Sequence, residues 1–147
     1  MKMLFEMDKK DYGECTHTFT RNSARSIIIR NGKIAMIHSL KYDYYKFPGG
    51  GIESKENPVD AMMRETLEEA GLIVIAGTVK EYGYVHRIQK SDNDDRSEER
   101  RVGNTLEFIE PAIAIKKNRS VTESPYNRMM FEREALVLES LISDGLL

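Results

Sequence analysis

A single cysteine, Cys15, stands among the 147 residues. One thiol excludes both an internal disulfide framework and a cysteine-only zinc site. Long apolar runs are missing as well. The longest is a few residues around Ile27-Ile28-Ile29, far short of the ~18 that a membrane-spanning helix needs. Charge of one sign is also missing, because 22 Lys and Arg face 24 Asp and Glu for a net charge of −2. No basic excess is left from which to build a polyanion-coating surface. Met1 to Lys10 contain no apolar core of signal-peptide length. These absences lead to the expectation of a cytoplasmic protein with neither a membrane nor a nucleic acid as partner. What is present suits one domain spanning 1–147. The apolar fraction of 40% with 10 glycines is globular, and the length suffices for a core of its own.

Along the chain, residues 1–24 are mixed and polar, with an edge strand around Cys15–Thr20 as the one assignment there. Ser26–Arg30 and Lys33–His38 are β-rich runs separated by Asn31-Gly32, the strongest short-range hairpin signal, since both central residues of a type I′ turn need φ > 0. Tyr42–Phe47 predicts a strand that runs into Pro48 and the glycines Gly49, Gly50 and Gly51, a loop that approaches something closely or turns sharply. A helix follows, with Asn57 as cap, Pro58 at the first position, Asp60 in the first turn and Gly71 as its left-handed terminator. Leu72–Ile75, Thr78–Gln89, Leu106–Ile109 and Ala112–Ile115 read as strands. Between them, Lys90–Arg101 holds nine charges in twelve residues, so 90–103 is expected to be a solvated or disordered loop. From Ser124-Pro125 to about Ser143 a second amphipathic helix places Phe131, Ala135, Leu138 and Ile142 on one face.

On a wheel at 100° per residue, Val59, Met62, Met63, Thr66, Leu67 and Ala70 of the first helix fall within roughly 80° of one direction. Glu65, Glu68 and Glu69 fall on the other side. Like charges one turn apart repel by a few tenths of a kcal/mol per exposed pair. Taken alone, the three glutamates do not separate an ordinary solvated face from a site for a hard divalent cation, which takes oxygen ligands.

The whole pattern separates them. Gly50, five residues, Glu56, seven residues, then Arg64-Glu65-Thr66-Leu67-Glu68-Glu69-Ala70-Gly71-Leu72 resembles the Nudix box of hydrolases that act on nucleoside diphosphates linked to another group. Seven identities match, a coincidence of ~10⁻⁶ over a chain of this length at average composition. The departure is Thr66, where the family prefers a bulky aliphatic residue. Its sheet-facing position makes this a change in packing.

The resemblance implies an α/β (α+β) chain folded as a Nudix-like αβα sandwich. Its mixed sheet would carry the box helix on one face, with a C-terminal helix near the end of the chain. It also implies Mg²⁺ or Mn²⁺ as cofactor, held by Glu65, Glu68 and Glu69, with a backbone carbonyl from Gly49 or Gly50, of which Gly50 is the assigned ligand. Gly49 and Gly51 are assigned to the substrate, and Glu68, Glu56 and Arg64 to catalysis. Arg64 would orient Glu56 by ion pairing, as a planar fork can grip a carboxylate bidentately. The implied reaction is attack of water on one phosphorus of a nucleoside diphosphate derivative or a nucleoside triphosphate, with metal neutralising the phosphate charge. Glu98, Glu99, Glu107 and Glu110 are the candidates for a general base outside the box.

Arg87 and Lys90 stand where ADP-ribose and dinucleoside polyphosphate members carry proline and tyrosine, which points toward nucleoside triphosphates or another, unassigned nucleotide. The charged loop replaces strands that family members usually have, leaving a short sheet, one completed by a second subunit in a homodimer, or a segment that orders only with substrate. The alternative reading is a regulatory module that binds a nucleotide without cleaving it. His17, His38 and His86 and the tyrosines Tyr42, Tyr44 and Tyr45 read as structural, and Cys15 as inert.

Overall fold

A computed structural model describes residues 1–15, 17–89, 103–121 and 128–147. Among the described residues, eight strands and three α-helices follow one another: β1 (Met3–Asp8), β2 (Ser23–Arg25), β3 (Ile29–Arg30), β4 (Lys33–Ser39), β5 (Tyr44–Lys46), β6 (Gly49–Gly51), α1 (Pro58–Ala70), β7 (Tyr84–Ile88), β8 (Asn104–Ile109), α2 (Pro111–Ser120) and α3 (Arg128–Ser143).

The Asn-Gly hairpin forms, with Asn31 at φ 53° and Gly32 at φ 74° and Arg30 paired with Lys33. β4 is the centre of the largest sheet. β8 runs antiparallel along it from Ile34↔Ile109 to Ser39↔Asn104, so β8 takes one edge. β3 and β5 share the other, at Ile34 and at Ile37–Ser39 respectively. Two smaller ladders complete the strands: β2 antiparallel to β6 and β1 parallel to β7. α1 lies against β2 and β6, while α2 and α3 lie against β5, giving an αβα layering.

The core sits between β4 and α3, where Ile34, Met36, Phe47, Leu138 and Leu141 are buried together. Each fully buried side chain of this size contributes about 1.5–3 kcal/mol. Tyr44 packs on Phe131 with ring centroids 4.3 Å apart, and Tyr45 stacks on His38 at 4.4 Å, so these tyrosines serve packing. Asn118 of α2 clamps β5 by accepting from Tyr45 N–H at 2.7 Å and donating to its carbonyl at 2.8 Å.

Several elements differ from the sequence reading. Leu72–Ile75 forms no strand. Ile73 and Ile75 are 83% and 70% exposed, since a β-branched run makes a strand only where a sheet edge is available to pair. A 3-10 turn occupies Ala76–Thr78, and strand structure in the next segment is confined to β7. Ala112–Ile115 is helical, because Pro111 occupies the first turn of α2 and the Glu110 carbonyl accepts the first helical N–H groups, from Ile113 and Ala114. No strand forms among the described residues of 15–20, whereas Met3–Asp8, read as irregular, is β1. The helix start at Ser124-Pro125 and the loop 90–102 lie outside the described residues. In α3, Phe131, Ala135 and Leu138 are buried as expected, and Ile142 is partly exposed.

Candidate active site

β6 consists of three glycines, of which Gly49 must be bare for the strands to pair and Gly50 must be bare for the Glu65 carboxylate to keep its place. A Cβ on Gly49 (φ 152°) would stand 2.3 Å from the Ala24 carbonyl oxygen and 2.6 Å from Arg25 Cα. A Cβ on Gly50 would stand 2.6 Å from the Glu65 carboxyl carbon and 2.8 Å from both its oxygens. Removing Cβ from β6 is therefore what lets α1 bring a carboxylate against the strand.

α1 is positioned by its caps. The Asn57 side chain accepts the Asp60 N–H at 2.8 Å, and Gly71, at φ 68°, closes the other end by donating to the Leu67 carbonyl at 2.9 Å. The buried residues are Ala61, Met62, Glu65 and Thr66, while Val59 and Leu67 are exposed. The docking face is thus turned by about a quarter of a revolution toward the glutamates, relative to the apolar stripe on the wheel. The cause is the β2–β6 ladder, which lies over the glutamate side of the helix. Thr66 remains fully buried and donates to Ser26 Oγ at 2.9 Å.

That rotation splits the three acids. Glu68 stays half-exposed. Glu65 is buried beneath Gly50. Glu69 holds its Oε2 buried with no hydrogen-bond partner, and the nearest cation is Lys46 Nζ, 3.8 Å away. Burial raises the Glu69 pKa, against the opposing pull of Lys46 and Arg25.

Arg64 ties the remaining groups together. Its Nε and Nη2 grip Glu56 at 2.9 Å each, Nη1 meets Glu65 at 2.9 Å and Glu68 at 3.5 Å, and Nη2 also donates to the Gly51 carbonyl at 3.2 Å. The bidentate hold, with a second bond from the Glu53 N–H at 3.1 Å, lowers the Glu56 pKa to about 2. The Arg64 proton is held correspondingly tighter, by Glu56 first and Glu65 second.

All the residues read from the motif, Gly49, Gly50, Gly51, Glu56, Arg64, Glu65, Glu68 and Glu69, are thus gathered along one seam between β6 and α1. The general-base candidates divide. Glu107 points elsewhere, with Oε2 against His38 Nδ1 and Oε1 accepting from Tyr45 at 3.3 Å. Glu110 stands at the N-cap position of α2, where its backbone carbonyl but not its side chain takes part in the cap, and Glu98 and Glu99 lie outside the described residues.

Sequence reasoning missed the charged layer behind the seam. Arg25 donates to the Phe47 carbonyl at 3.0 Å. Glu134 is buried in α3, where it accepts from Phe47 N–H and from Arg133 Nε, each at 2.7 Å. The available signal was a charge inside an otherwise apolar stretch: Arg25 and Lys46 in strands, Glu134 on the α3 face that carries Phe131 and Leu138.

Among the described residues, no three Asp, Glu, His or Cys side chains already converge on one point. Arg64 draws Glu56, Glu65 and Glu68 to itself. The donors nonetheless fit a hard divalent cation. They are oxygens only, and one of them, Glu69 Oε2, is buried with no hydrogen bond of its own and with the Lys46 ammonium, 3.8 Å away, as the nearest cation to balance it.

A family profile described as NUDIX domain matches residues 20–117. The RNA pyrophosphohydrolase of Xylella fastidiosa (strain Temecula1) is 43% identical over 47 residues, 32% of this chain and 25% of that one. The RNA pyrophosphohydrolase of Psychrobacter sp. (strain PRwf-1) is 44% identical over 48 residues, 31% of this chain and 28% of its own. The chain spans about a quarter of the length of these curated relatives. A crystal structure of a NUDIX-family hydrolase from Clostridium perfringens aligns over 82% of this chain and 99% of its own, at 16% identity and a TM-score of 0.38.

Proposed function

We propose that this chain, which belongs to the Nudix family, is a divalent-metal-dependent hydrolase of the phosphoanhydride bond in a nucleoside diphosphate derivative. The observation that carries this reading is Glu69 Oε2, buried beside Glu65 without a hydrogen-bond partner and with Lys46 Nζ no nearer than 3.8 Å. A carboxylate so placed is only partly answered by Lys46, and a directly coordinated cation would answer it fully.

Glu69, Glu65, Glu68 and the Gly50 backbone would hold Mg²⁺ or Mn²⁺, which when bound screens the phosphate charge and acidifies water. The chain's own residues do the positioning. Arg64, anchored on Glu56 and the Gly51 carbonyl, holds the Glu65 carboxylate at 2.9 Å and reaches the half-exposed Glu68 at 3.5 Å. Lys46 and Arg25, behind Glu69, offset part of the negative charge that would otherwise oppose a polyanionic substrate. Gly51 leaves the backbone bare where a phosphate approaches, while Gly49 lets β2 close directly over the strand. Water attacks one phosphorus, the bridging oxygen leaves with its electron pair, and two phosphorylated products separate.

Two substrate forms fit this chemistry, a free nucleoside triphosphate and a 5′-triphosphorylated RNA end. The named activity of the relatives from Xylella and Psychrobacter supports the second, while the net charge of −2 gives no basic surface along which a long RNA would lie.

The test is a panel of nucleoside triphosphates, nucleoside diphosphate derivatives and triphosphorylated oligonucleotides, with Mg²⁺ or Mn²⁺ and with EDTA. Phosphate and pyrophosphate release is the readout. Turnover that vanishes in EDTA and returns with metal is expected. Full turnover in EDTA refutes the metal role. Binding without turnover across the panel refutes the hydrolase in favour of a nucleotide-binding module.

A further inference from the structure

A cleft of about 440 Å³ opens beside the acids, between the segment that leads into β2 and the turn that follows β6. Phe19, Arg21 and Asn22 line one side and Gly51, Ile52 and Glu53 the other. The two sides are joined where Ile52 N–H donates to the Asn22 carbonyl at 3.0 Å. A volume of this order suits one small-molecule unit.

Gly51 separates two guanidiniums of opposite standing. Its carbonyl accepts from Arg64, which is already committed to Glu56, Glu65 and Glu68. On the cleft side, Arg21 Nε and Nη2 lie 3.9 Å from the point that a Gly51 Cβ would occupy. Among the described residues Arg21 has neither an ion pair nor a side-chain hydrogen bond. Phe19, two residues before it, is 74% exposed. The mouth of an acidic seam is thus flanked by an uncommitted planar cation and an unburied aromatic ring, the pair of groups that phosphate and nucleobase each require.

We propose that this cleft receives the nucleoside 5′-phosphate unit of the substrate. The base stacks on Phe19, Arg21 pairs with the phosphate nearest the sugar, and the remaining phosphates cross Gly51 toward Glu65. The assignment rests on the hydrolase reading and narrows it to substrates with a base attached to a 5′-polyphosphate. A free nucleoside triphosphate and a triphosphorylated RNA end share that unit.

The experiment uses the full chain with Mn²⁺ and compares wild type, Phe19→Ala, Phe19→Tyr and Arg21→Gln. Substrates are ATP, a short 5′-triphosphorylated RNA, and methyl triphosphate, which has no base. Phe19→Ala should raise KM for ATP and for the RNA about tenfold, the loss of one base–aromatic stack, with kcat little changed. Phe19→Tyr should restore KM. Methyl triphosphate, with no stack to lose, should keep its KM in Phe19→Ala, whereas Arg21→Gln should raise KM for all three substrates. A lower wild-type KM for the RNA than for ATP assigns the RNA end as source, and the reverse assigns the free nucleotide. Unchanged KM in both Phe19→Ala and Arg21→Gln overturns the proposal, as does an equal rise on methyl triphosphate. If wild type cleaves neither these three nor the nucleoside diphosphate derivatives of the wider panel, the hydrolase reading fails by itself. The cleft is then read by fluorescence quenching of 2-aminopurine riboside triphosphate, which contact with Phe19 should produce. Equal quenching in wild type and Phe19→Ala overturns the cleft.

Discussion

Replacing Glu69 by Gln tests the metal site through stability and turnover at once. The wild-type Oε2 is buried without a hydrogen-bond partner, and burial raises the carboxyl pKa, so without metal the ionised form is held at a cost to the fold. Gln keeps the shape and removes the charge. In EDTA the variant should melt at or slightly above the wild-type temperature. A cation at 100 times its Kd adds about 2.7 kcal/mol to a protein that binds it only when folded. For a chain of this size that is about 5–11 °C. Saturating Mn²⁺ should therefore raise the wild-type melting temperature by that amount and the variant's by much less, which inverts their order. Loss of a principal ligand should remove about 3–5 kcal/mol of transition-state stabilisation, or ~10²–10⁴ in turnover. Thermal melts with Mn²⁺ and with EDTA, beside steady-state rates, measure both. An equal Mn²⁺ upshift in the two proteins refutes the assignment of Glu69 as a ligand, and a variant unfolded in EDTA refutes the claim that its charge is a burden to the fold.

The same geometry constrains other substitutions. Gly50→Ala would set a Cβ 2.6 Å from the Glu65 carboxyl carbon. The flexible carboxylate should yield, leaving stability within about 1 kcal/mol but weakening Mn²⁺ binding in a titration. Thr66→Val removes a buried bond to Ser26 and should cost about 1–2 kcal/mol by urea unfolding, with turnover retained. Glu134→Gln should cost about 3–5 kcal/mol, because it strips a buried anion from Arg133. Burial pushes the Glu134 pKa up, but Arg133 and Arg25 outweigh it and the net shift is downward. A depressed folded pKa contributes stability that is complete above the ordinary value of about 4.3 and lost as pH falls below it. The wild-type advantage over Glu134→Gln should therefore shrink below about pH 4.3 in urea midpoints taken across pH.

Local signals were legible in the sequence because the forces behind them are local. Asn31-Gly32, Asn57-Pro58 and Gly71 announce their backbone conformations without reference to the rest of the chain, and each adopts the expected one. The box residues were legible because their spacing on a helix fixes which of them share a neighbourhood. What the wheel could not give is the direction from which the sheet approaches. That depends on the bare β6 strand, which accepts a glutamate where a side-chain-bearing strand would demand an apolar residue. Leu72–Ile75 failed for a related reason, since strand propensity states an affinity for edges and says nothing about whether one is free. Lys46, Arg25 and Glu134 escaped notice because each has a partner on a distant segment, Glu69 for the first and the Phe47 backbone for the other two, out of reach of any periodicity argument.

The parallel ladder of β1 and β7 sets how the molecule comes apart and together. Glu6 meets His86 across 80 residues of sequence, whereas β3 meets β4 across a two-residue turn. Chain closure of the first kind forfeits far more freedom before any contact rewards it, so the hairpin is the natural seed and the β1–β7 seam the natural last step. In the folded state β1 is only half-covered, while β4 is buried and bonded along both edges. Amide protons of Met3–Asp8 should accordingly trade with solvent through a partial opening that leaves β4 intact. The first strand in the sequence is then the last to arrive and the first to leave, and the seam of glycines and glutamates, which it does not touch, can persist while it is away.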